Sequence, residues 1–204
     1  MNQAEINKRN ILIDYARRFG PKTFIETGTY KGDTVKAMLQ SHCFDIIHTI
    51  DIYVDRVDKA ERRFASFPQV YCWQGDSAIV LPELLADLVE PALFWLDAHH
   101  SGKQIVRKKG LIETPLVAEL TAILQHDLAA EHVILIDDAR YYEEFGGKYP
   151  SYPTEAELHD LVTKSFPDRT WDNTGDIVRI LPTTKTTKTT KTPETLESGA
   201  GLLE

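Results

Sequence analysis

Hydrophobic and polar positions along the chain follow two alternating spacings. Short runs rich in β-branched, aromatic and other apolar residues predict strands at residues 23–26, 46–51, 70–73, 92–97 and 132–137. Between and after them, apolar residues three or four positions apart predict helices at residues 32–40, 56–64, 77–88, 115–126 and 154–164. Such an alternation of strand and helix is typical of a parallel sheet covered by helices.

Two further segments frame this repeat. Within residues 1–20, charged positions alternate with apolar ones, which predicts an amphipathic helix that ends at Gly20-Pro21 and covers the sheet. Residues 169–172 and 177–181 flank a turn at residues 173–176, which predicts an antiparallel hairpin at the sheet edge. The expected fold is α/β: a Rossmann-like, doubly wound, mostly parallel seven-stranded sheet with an antiparallel last strand and helices on both faces.

Length and composition predict one domain followed by a tail. A chain of 204 residues with 42% apolar content can close one substantial core, and we place this domain at residues 1–182. Residues 183–204 hold Thr-Thr-Lys repeats, with Lys185, Lys188 and Lys191 at every third position. Because so polar a stretch cannot bury enough apolar surface to offset the entropy of ordering it, we expect a disordered tail.

Charge and hydropathy narrow the set of partners. The net charge of −8 makes a nucleic acid an unexpected partner, because phosphate backbones are bound mainly through Lys and Arg. No stretch has the length and apolar character of a membrane helix or a signal peptide, so we expect a cytoplasmic protein with no membrane contact. Cys43 and Cys72 lack metal-ligand spacing and are expected to be free thiols.

A glycine loop follows the first predicted strand. Glu26 and Thr27 precede Gly28, and Tyr30, Gly32 and Thr34 follow on the way into a helix. Glycines at such a strand end let the backbone turn tightly and approach a ligand. Dinucleotide loops have the pattern G-x-G-x-x-G, in which a carboxylate beside the pyrophosphate is unfavourable. A carboxylate at position 26 instead favours a cationic ligand, such as a sulfonium that carries an amino acid.

The loop resembles E-x-G-x-x-x-G, the first motif of class I S-adenosylmethionine-dependent methyltransferases. The resemblance continues at Asp51, which matches the acid that holds the ribose hydroxyls, and at Gln74-Gly75-Asp76-Ser77, which matches the adenine-contacting motif. It covers residues 23–97 and implies S-adenosylmethionine as the cofactor. The implied cofactor-binding residues are Glu26, Thr27, Gly28, Tyr30, Gly32, Thr34, Asp51, Asp76, Ser77 and Asp97. The alternative from the residues alone is an ordinary pair of turn glycines with solvated acids.

Acidic residues also end the fourth and fifth predicted strands. Asp97 is followed by His99 and His100, and Asp137 stands beside Asp138. Three carboxylates on neighbouring strand ends would repel one another unless protons or a cation neutralised them, and Mg²⁺ suits such oxygen ligands. The alternative is that Asp138 caps a turn, Asp97 accepts backbone amides and the histidines belong to a solvated loop.

This layout resembles the metal-dependent O-methyltransferases of the catechol and macrolide-sugar types. The resemblance implies that Asp97, Asp137 and Asp138 bind Mg²⁺, which lowers the pKa of a substrate hydroxyl while a base takes its proton. His100 stands three residues after Asp97, where the catechol type has a lysine base, and His99 is its neighbour. This departure from lysine leaves open which histidine is the base, and the implied catalytic residues are His99, His100 and Asp97.

Two loops are candidates for contact with the methyl acceptor. Residues 101–113 contain Lys103, Arg107, Lys108 and Lys109, which could cover an anionic substrate or simply face water. Residues 141–153 contain Tyr141, Tyr142, Tyr149 and Tyr152, whose rings could stack on an acceptor or pack beneath the loop.

The leading hypothesis is therefore O-methylation of a small hydroxylated molecule, a sugar or a natural-product intermediate, assisted by Mg²⁺. The chief alternative is a non-catalytic domain of the same fold that binds the cofactor and serves as a scaffold. A nicotinamide-dependent oxidoreductase is disfavoured by Glu26 and by the missing third glycine. Since the chain leaves little room for a substrate domain, a homodimer could complete the pocket.

Overall fold

A computed structural model of the protein describes residues 3–98, 114–148 and 152–183. Its strands are β1 (Thr23–Thr27), β2 (Ile46–Asp51), β3 (Val70–Gln74), β4 (Ala92–Leu96), β5 (Val133–Ile136), β6 (Thr170–Thr174) and β7 (Ile177–Leu181). They form one sheet in the order β3-β2-β1-β4-β5-β7-β6. Strands β1 to β5 pair in parallel, while β7 is antiparallel to both of its neighbours. The predicted mostly parallel sheet with an antiparallel last strand is confirmed.

Seven helices accompany the sheet in the described part of the chain. They are α1 (Gln3–Phe19), α2 (Asp33–Ser41), α3 (Val54–Phe64), α4 (Ser77–Ala86), α5 (Leu116–Gln125), α6 (Arg140–Phe145) and α7 (Glu155–Ser165). Their buried residues fall into two clusters, one with α1, α2 and α3 and one with α4, α5, α6 and α7. Helices therefore cover both faces of the sheet, as the alternating pattern predicts.

The central strands show why their sequences are almost continuously apolar. Every residue of β4 is buried. Phe94 and Leu96 belong to the cluster on one face, whereas Leu93 and Trp95 belong to the cluster on the other. Successive side chains of a strand point to opposite faces, so a strand covered on both sides needs an apolar residue at each position.

The last two strands form the predicted hairpin. Their pairing continues to Thr174 and Ile177, so only Gly175 and Asp176 form the loop. Both have a positive φ, 62° and 67°, as a two-residue loop of this kind requires. Asn173 and Thr174, which the sequence pattern assigns to the turn, belong to β6.

One segment differs from its expected structure. Residues 141–145, expected to be part of a loop, belong to the short helix α6. Tyr142 and Tyr152 are buried in the core, and Phe145 lies edge-on to Tyr152. These tyrosines therefore pack beneath the segment, which is one of the two alternatives that the sequence leaves open.

Several expectations concern parts of the chain outside the described residues. These are His99, His100, the basic segment at residues 101–113, Tyr149 and the tail beyond residue 183. Among the described helices, none has the length and apolar character needed to cross a membrane.

Candidate active site

A cleft of about 1200 Å³ opens at the carboxyl ends of strands β1 to β5. The loops that follow these strands form its floor, α1 forms one wall, and the β6–β7 turn reaches its rim. In open α/β sheets, ligands bind at this edge, where strand order reverses. Here the reversal lies between β1 and β4, which are neighbours in the sheet but not in the sequence.

The glycine loop enters the cleft directly after β1. Gly28 has a φ of +94° and its amide donates to the Ile50 carbonyl over 2.8 Å. A Cβ at this position would overlap the main-chain carbonyl of Asp97. The glycine therefore allows the loop after β1 to pass against the end of β4, which brings two strand ends to one site.

Asp51 joins the glycine loop to the end of β2. Its Oδ2 accepts the amide of Tyr30 and its Oδ1 accepts the amide of Tyr53, each over 3.0 Å. Nη1 of Arg56 lies 3.3 Å from Oδ2, and the guanidinium stacks on the Tyr53 ring. The buried carboxylate is thus held in place by two backbone amides and one cation.

Glu26 lies beneath the floor of the cleft. Its carboxyl group is buried and accepts a hydrogen bond of 2.6 Å from the Thr49 hydroxyl, which is also paired with the Thr29 hydroxyl. Burial raises the pKa of Glu26 to about 8, although the Thr49 hydrogen bond and the charge of Arg9 act in the opposite direction. At neutral pH the carboxyl group is therefore largely protonated in the folded chain.

The structure divides the residues that the resemblance assigns to the cofactor. One group lines the cleft: Gly28, Tyr30, Asp51, Asp76, Ser77 and Asp97. The other group does not line the cleft: Glu26, Thr27, Gly32 and Thr34. Asp76 also caps α4, since its carboxylate accepts the amide of Ala78 over 3.0 Å.

Asp97, Asp137 and Asp138 come together at the ends of β4 and β5. These strands pair so that Leu96 lies opposite Ile136, which places the following acids side by side. One carboxylate oxygen from each of the three lies within 4.8 Å of the others. Asp138 has a positive φ of 53°, and its amide donates to Oδ1 of Asp137 over 2.7 Å.

Two cations and a fourth acid that the sequence analysis missed belong to this cluster. Nζ of Lys8, on α1, lies 2.5 Å from Oδ1 of Asp137 and 3.0 Å from Oδ1 of Asp138. Nη1 of Arg140 lies 2.7 Å from Oδ1 of Asp138 and also pairs with Asp176, from the β6–β7 turn. A signal for Lys8 exists, because it stands one helical turn before the core residue Leu12.

The crowding of the acids sets the charge of the cluster. Burial, and then the charges of Asp137 and Asp138, raise the pKa of Asp97 well above its usual value. Burial and Asp138 raise the pKa of Asp137 to about 6, although Lys8 acts against them. Burial alone would lower the pKa of Lys8, but the neighbouring carboxylates raise it above its ordinary value. Lys8 therefore stays an ammonium in this site.

Two observations decide whether the cluster fits a divalent metal ion. Three carboxylates at this spacing are the hard oxygen ligands that Mg²⁺ takes. However, Oδ1 of Asp137 already faces Lys8 and the Asp138 amide, and Oδ1 of Asp138 faces both Lys8 and Arg140. A metal ion there would stand against two like charges. In this arrangement of the described residues, the cluster does not fit a metal ion.

Comparison with known proteins rests on structure alone, since no protein-family model and no curated sequence matches the chain. The O-methyltransferase from Bacillus cereus, in complex with S-adenosylhomocysteine, superposes with a TM-score of 0.58 at 15% identity over 86% of this chain and 80% of that one. The O-methyltransferase TomG from Streptomyces achromogenes, involved in tomaymycin synthesis and bound to S-adenosylmethionine, gives the same values.

A third solved structure shows that the likeness is not confined to O-methyltransferases. The N-methyltransferase NodS from Bradyrhizobium japonicum superposes with a TM-score of 0.54 at 10% identity over 89% of this chain and 98% of that one. The chain thus has the Rossmann-like fold of class I S-adenosylmethionine-dependent methyltransferases.

Proposed function

We propose that this protein is an S-adenosylmethionine-dependent methyltransferase that methylates a hydroxyl group of a small acceptor, a sugar or a natural-product intermediate. The observation that carries the proposal is the order of side chains along the cleft. The Gly28 loop, Asp51 and Asp76 stand at the carboxyl ends of β1, β2 and β3 in succession. This order matches the methionine, ribose and adenine portions of the cofactor.

Each position has the chemistry that its portion of the cofactor needs. The Gly28 loop offers close backbone approach to the amino-acid portion. Asp51 is an acceptor for the ribose hydroxyls, already oriented by the amides of Tyr30 and Tyr53. Asp76 and Ser77, at the start of α4, face the end of the cleft where the adenine would lie.

Methyl transfer then takes place beside Asp97. The acceptor oxygen attacks the methyl carbon, the carbon–sulfur bond breaks, and neutral S-adenosylhomocysteine leaves while the hydroxyl proton passes to a base. Among the described residues Asp97, which follows β4 and lines the cleft, is the candidate base. His99 and His100, which follow it in the sequence, are further candidates from the family resemblance.

O-methylation and metal assistance rest on different grounds within this proposal. Two O-methyltransferases among the solved structures favour an oxygen acceptor, and the N-methyltransferase makes nitrogen the competing possibility. Mg²⁺ at Asp97, Asp137 and Asp138 stays a prediction from the sequence, and the position of Lys8 speaks against it. We therefore derive the reaction without a metal ion.

Isothermal titration with S-adenosylmethionine, S-adenosylhomocysteine and NAD tests the cofactor. We expect both sulfur ligands to bind one to one and NAD to show no binding. A radiolabelled methyl group should then appear on members of a panel of sugars and phenols, and not on matched amines. Binding of NAD alone would refute the proposal, whereas tight binding of both sulfur ligands without transfer to any acceptor class would favour the scaffold alternative.

A further inference from the structure

The first helix brings an ammonium group into the acidic cluster of the cleft. The Lys8 side chain is only 13% exposed, and its Nζ lies within 4 Å of carboxylate oxygens of Asp137, Asp138 and Asp176. It is the only lysine among residues 3–19. Lys8 therefore bridges acids that come from the end of β5 and from the β6–β7 turn.

Helix packing holds this lysine where it is. Leu12 and Ala16, four and eight residues further along α1, are buried in the same core cluster as Phe24 and Met38. Residues four apart lie on one face of a helix, so the packing that buries Leu12 also directs Lys8 toward the sheet. The ammonium thus reaches the cluster as part of the fold.

Cations of the chain itself offset part of the negative charge of the cluster. Four carboxylates, of Asp97, Asp137, Asp138 and Asp176, stand around the ammonium of Lys8 and the guanidinium of Arg140. The ammonium contacts Oδ1 of both Asp137 and Asp138, at 2.5 and 3.0 Å, and so occupies oxygen atoms that a metal ion shared by the two acids could otherwise bind. Two cations cannot share these oxygen atoms without strong repulsion.

We infer that Lys8 is the resident cation of this cluster and takes the place of a divalent metal ion, so that the wild-type protein binds no metal there. The inference does not depend on the proposed reaction, because it concerns which cation the carboxylates hold. Its consequence for catalysis, that chelators leave the rate of methyl transfer unchanged, does rest on the proposed function. Helix α1 is, on this view, part of the active site.

Binding of Mn²⁺, followed by electron paramagnetic resonance of the free ion, tests the inference on the full-length protein. Wild-type protein stripped with a chelator should take up no stoichiometric Mn²⁺. Lys8→Met keeps a side chain of similar length without the charge, and the variant should bind one Mn²⁺ per chain. Its affinity for Mn²⁺ should exceed that of the wild type by about tenfold or more, since residues next to metal ligands change metal affinity on this scale. Lys8→Arg restores a cation and should again exclude the metal.

Arg17→Met is the matched control, because it removes one positive charge from the exposed end of the same helix. It should bind as little Mn²⁺ as the wild type. Equal affinity of the wild type and Lys8→Met, at any level, overturns the inference. If Lys8→Met fails to fold, the wild type still decides: one tightly bound Mn²⁺ per folded chain overturns it. Titration of S-adenosylhomocysteine into the same samples reports separately on the proposed function.

Discussion

Gly28 lies against the main-chain carbonyl of Asp97, so that backbone atoms of the loop after β1 and of the end of β4 come into close contact. Gly28→Ala should therefore combine an unfavourable φ with a clash that backbone atoms cannot relieve. We expect a loss of about 3 kcal/mol in the free energy of unfolding, together with loss of S-adenosylhomocysteine binding. Urea denaturation and calorimetric titration provide the two measurements.

Gly20 offers a control for this substitution. It also has a positive φ, +73°, but no atom stands near the position of its absent Cβ. Gly20→Ala should cost only the backbone strain, about 1 kcal/mol, and leave ligand binding intact. If both substitutions lower the free energy of unfolding equally, the clash with the Asp97 carbonyl adds nothing to the effect of Gly28→Ala.

Asp51→Ala should weaken binding of S-adenosylhomocysteine by about tenfold to a hundredfold, the range expected for loss of hydrogen bonds to a charged group. The unfolding free energy should also fall, because the amides of Tyr30 and Tyr53 lose their acceptor. Asp55→Ala, on the exposed first turn of α3, removes an acid nearby and should change neither quantity. Unchanged affinity in Asp51→Ala would remove Asp51 from the proposed cofactor site.

The strand ends and their acids could be predicted from the sequence, whereas the cations beside them were missed. Strand period and apolar runs locate Asp51, Asp97 and Asp137 at one edge, because parallel strands end together. Which helix lies over that edge depends on tertiary packing, and so Lys8 on α1 was missed. Helix α6 was missed because six residues are too few to show a helical period.

Glu26→Gln should remove a pH dependence of stability. The pKa of Glu26 is raised in the folded chain, to about 8. Its contribution to stability is therefore complete below the unfolded value near 4.5 and is lost as the pH rises toward 8. Between pH 5 and 7 the unfolding free energy of the wild type should fall relative to the variant by about 1 kcal/mol per pH unit.

Glutamine keeps an acceptor for the Thr49 hydroxyl, so the hydrogen bond to Thr49 can persist in the variant. The measurement is urea unfolding of the ligand-free protein across this pH range. Parallel pH curves for wild type and variant would mean that Glu26 is ionised throughout, with Arg9 as its counter-ion.

His132 should give a pH dependence of opposite sign. The ring is fully buried, its Nδ1 accepts the Ala92 amide over 3.1 Å, and its Nε2 lies 2.8 Å from Nδ1 of His126. Burial, with the nearby His126 and Arg169, lowers the pKa of His132 to about 3. The contribution of the neutral ring is present above the unfolded value near 6.5 and is lost progressively as the pH falls below it.

His132→Asn should reduce this loss of unfolding free energy at acidic pH. At pH 5 the wild type should have lost about 2 kcal/mol more than the variant, relative to pH 7.5. His159→Asn, on an exposed position of α7, is the control and should retain the wild-type slope. If His132→Asn and wild type lose stability equally, the buried His132 ring accepts a proton without penalty.

The hairpin of β6 and β7 is attached to the rest of the protein at both of its ends. At one end the buried Arg169 guanidinium donates to the carbonyls of Ala129, His132 and Ile180. At the other, Asp176 accepts the amide of Arg140 over 2.9 Å and stands beside Lys8. A slip of register by two residues would break both attachments. The position of Asp176 beside Lys8 in the cleft therefore depends on the strand register at the far edge of the sheet.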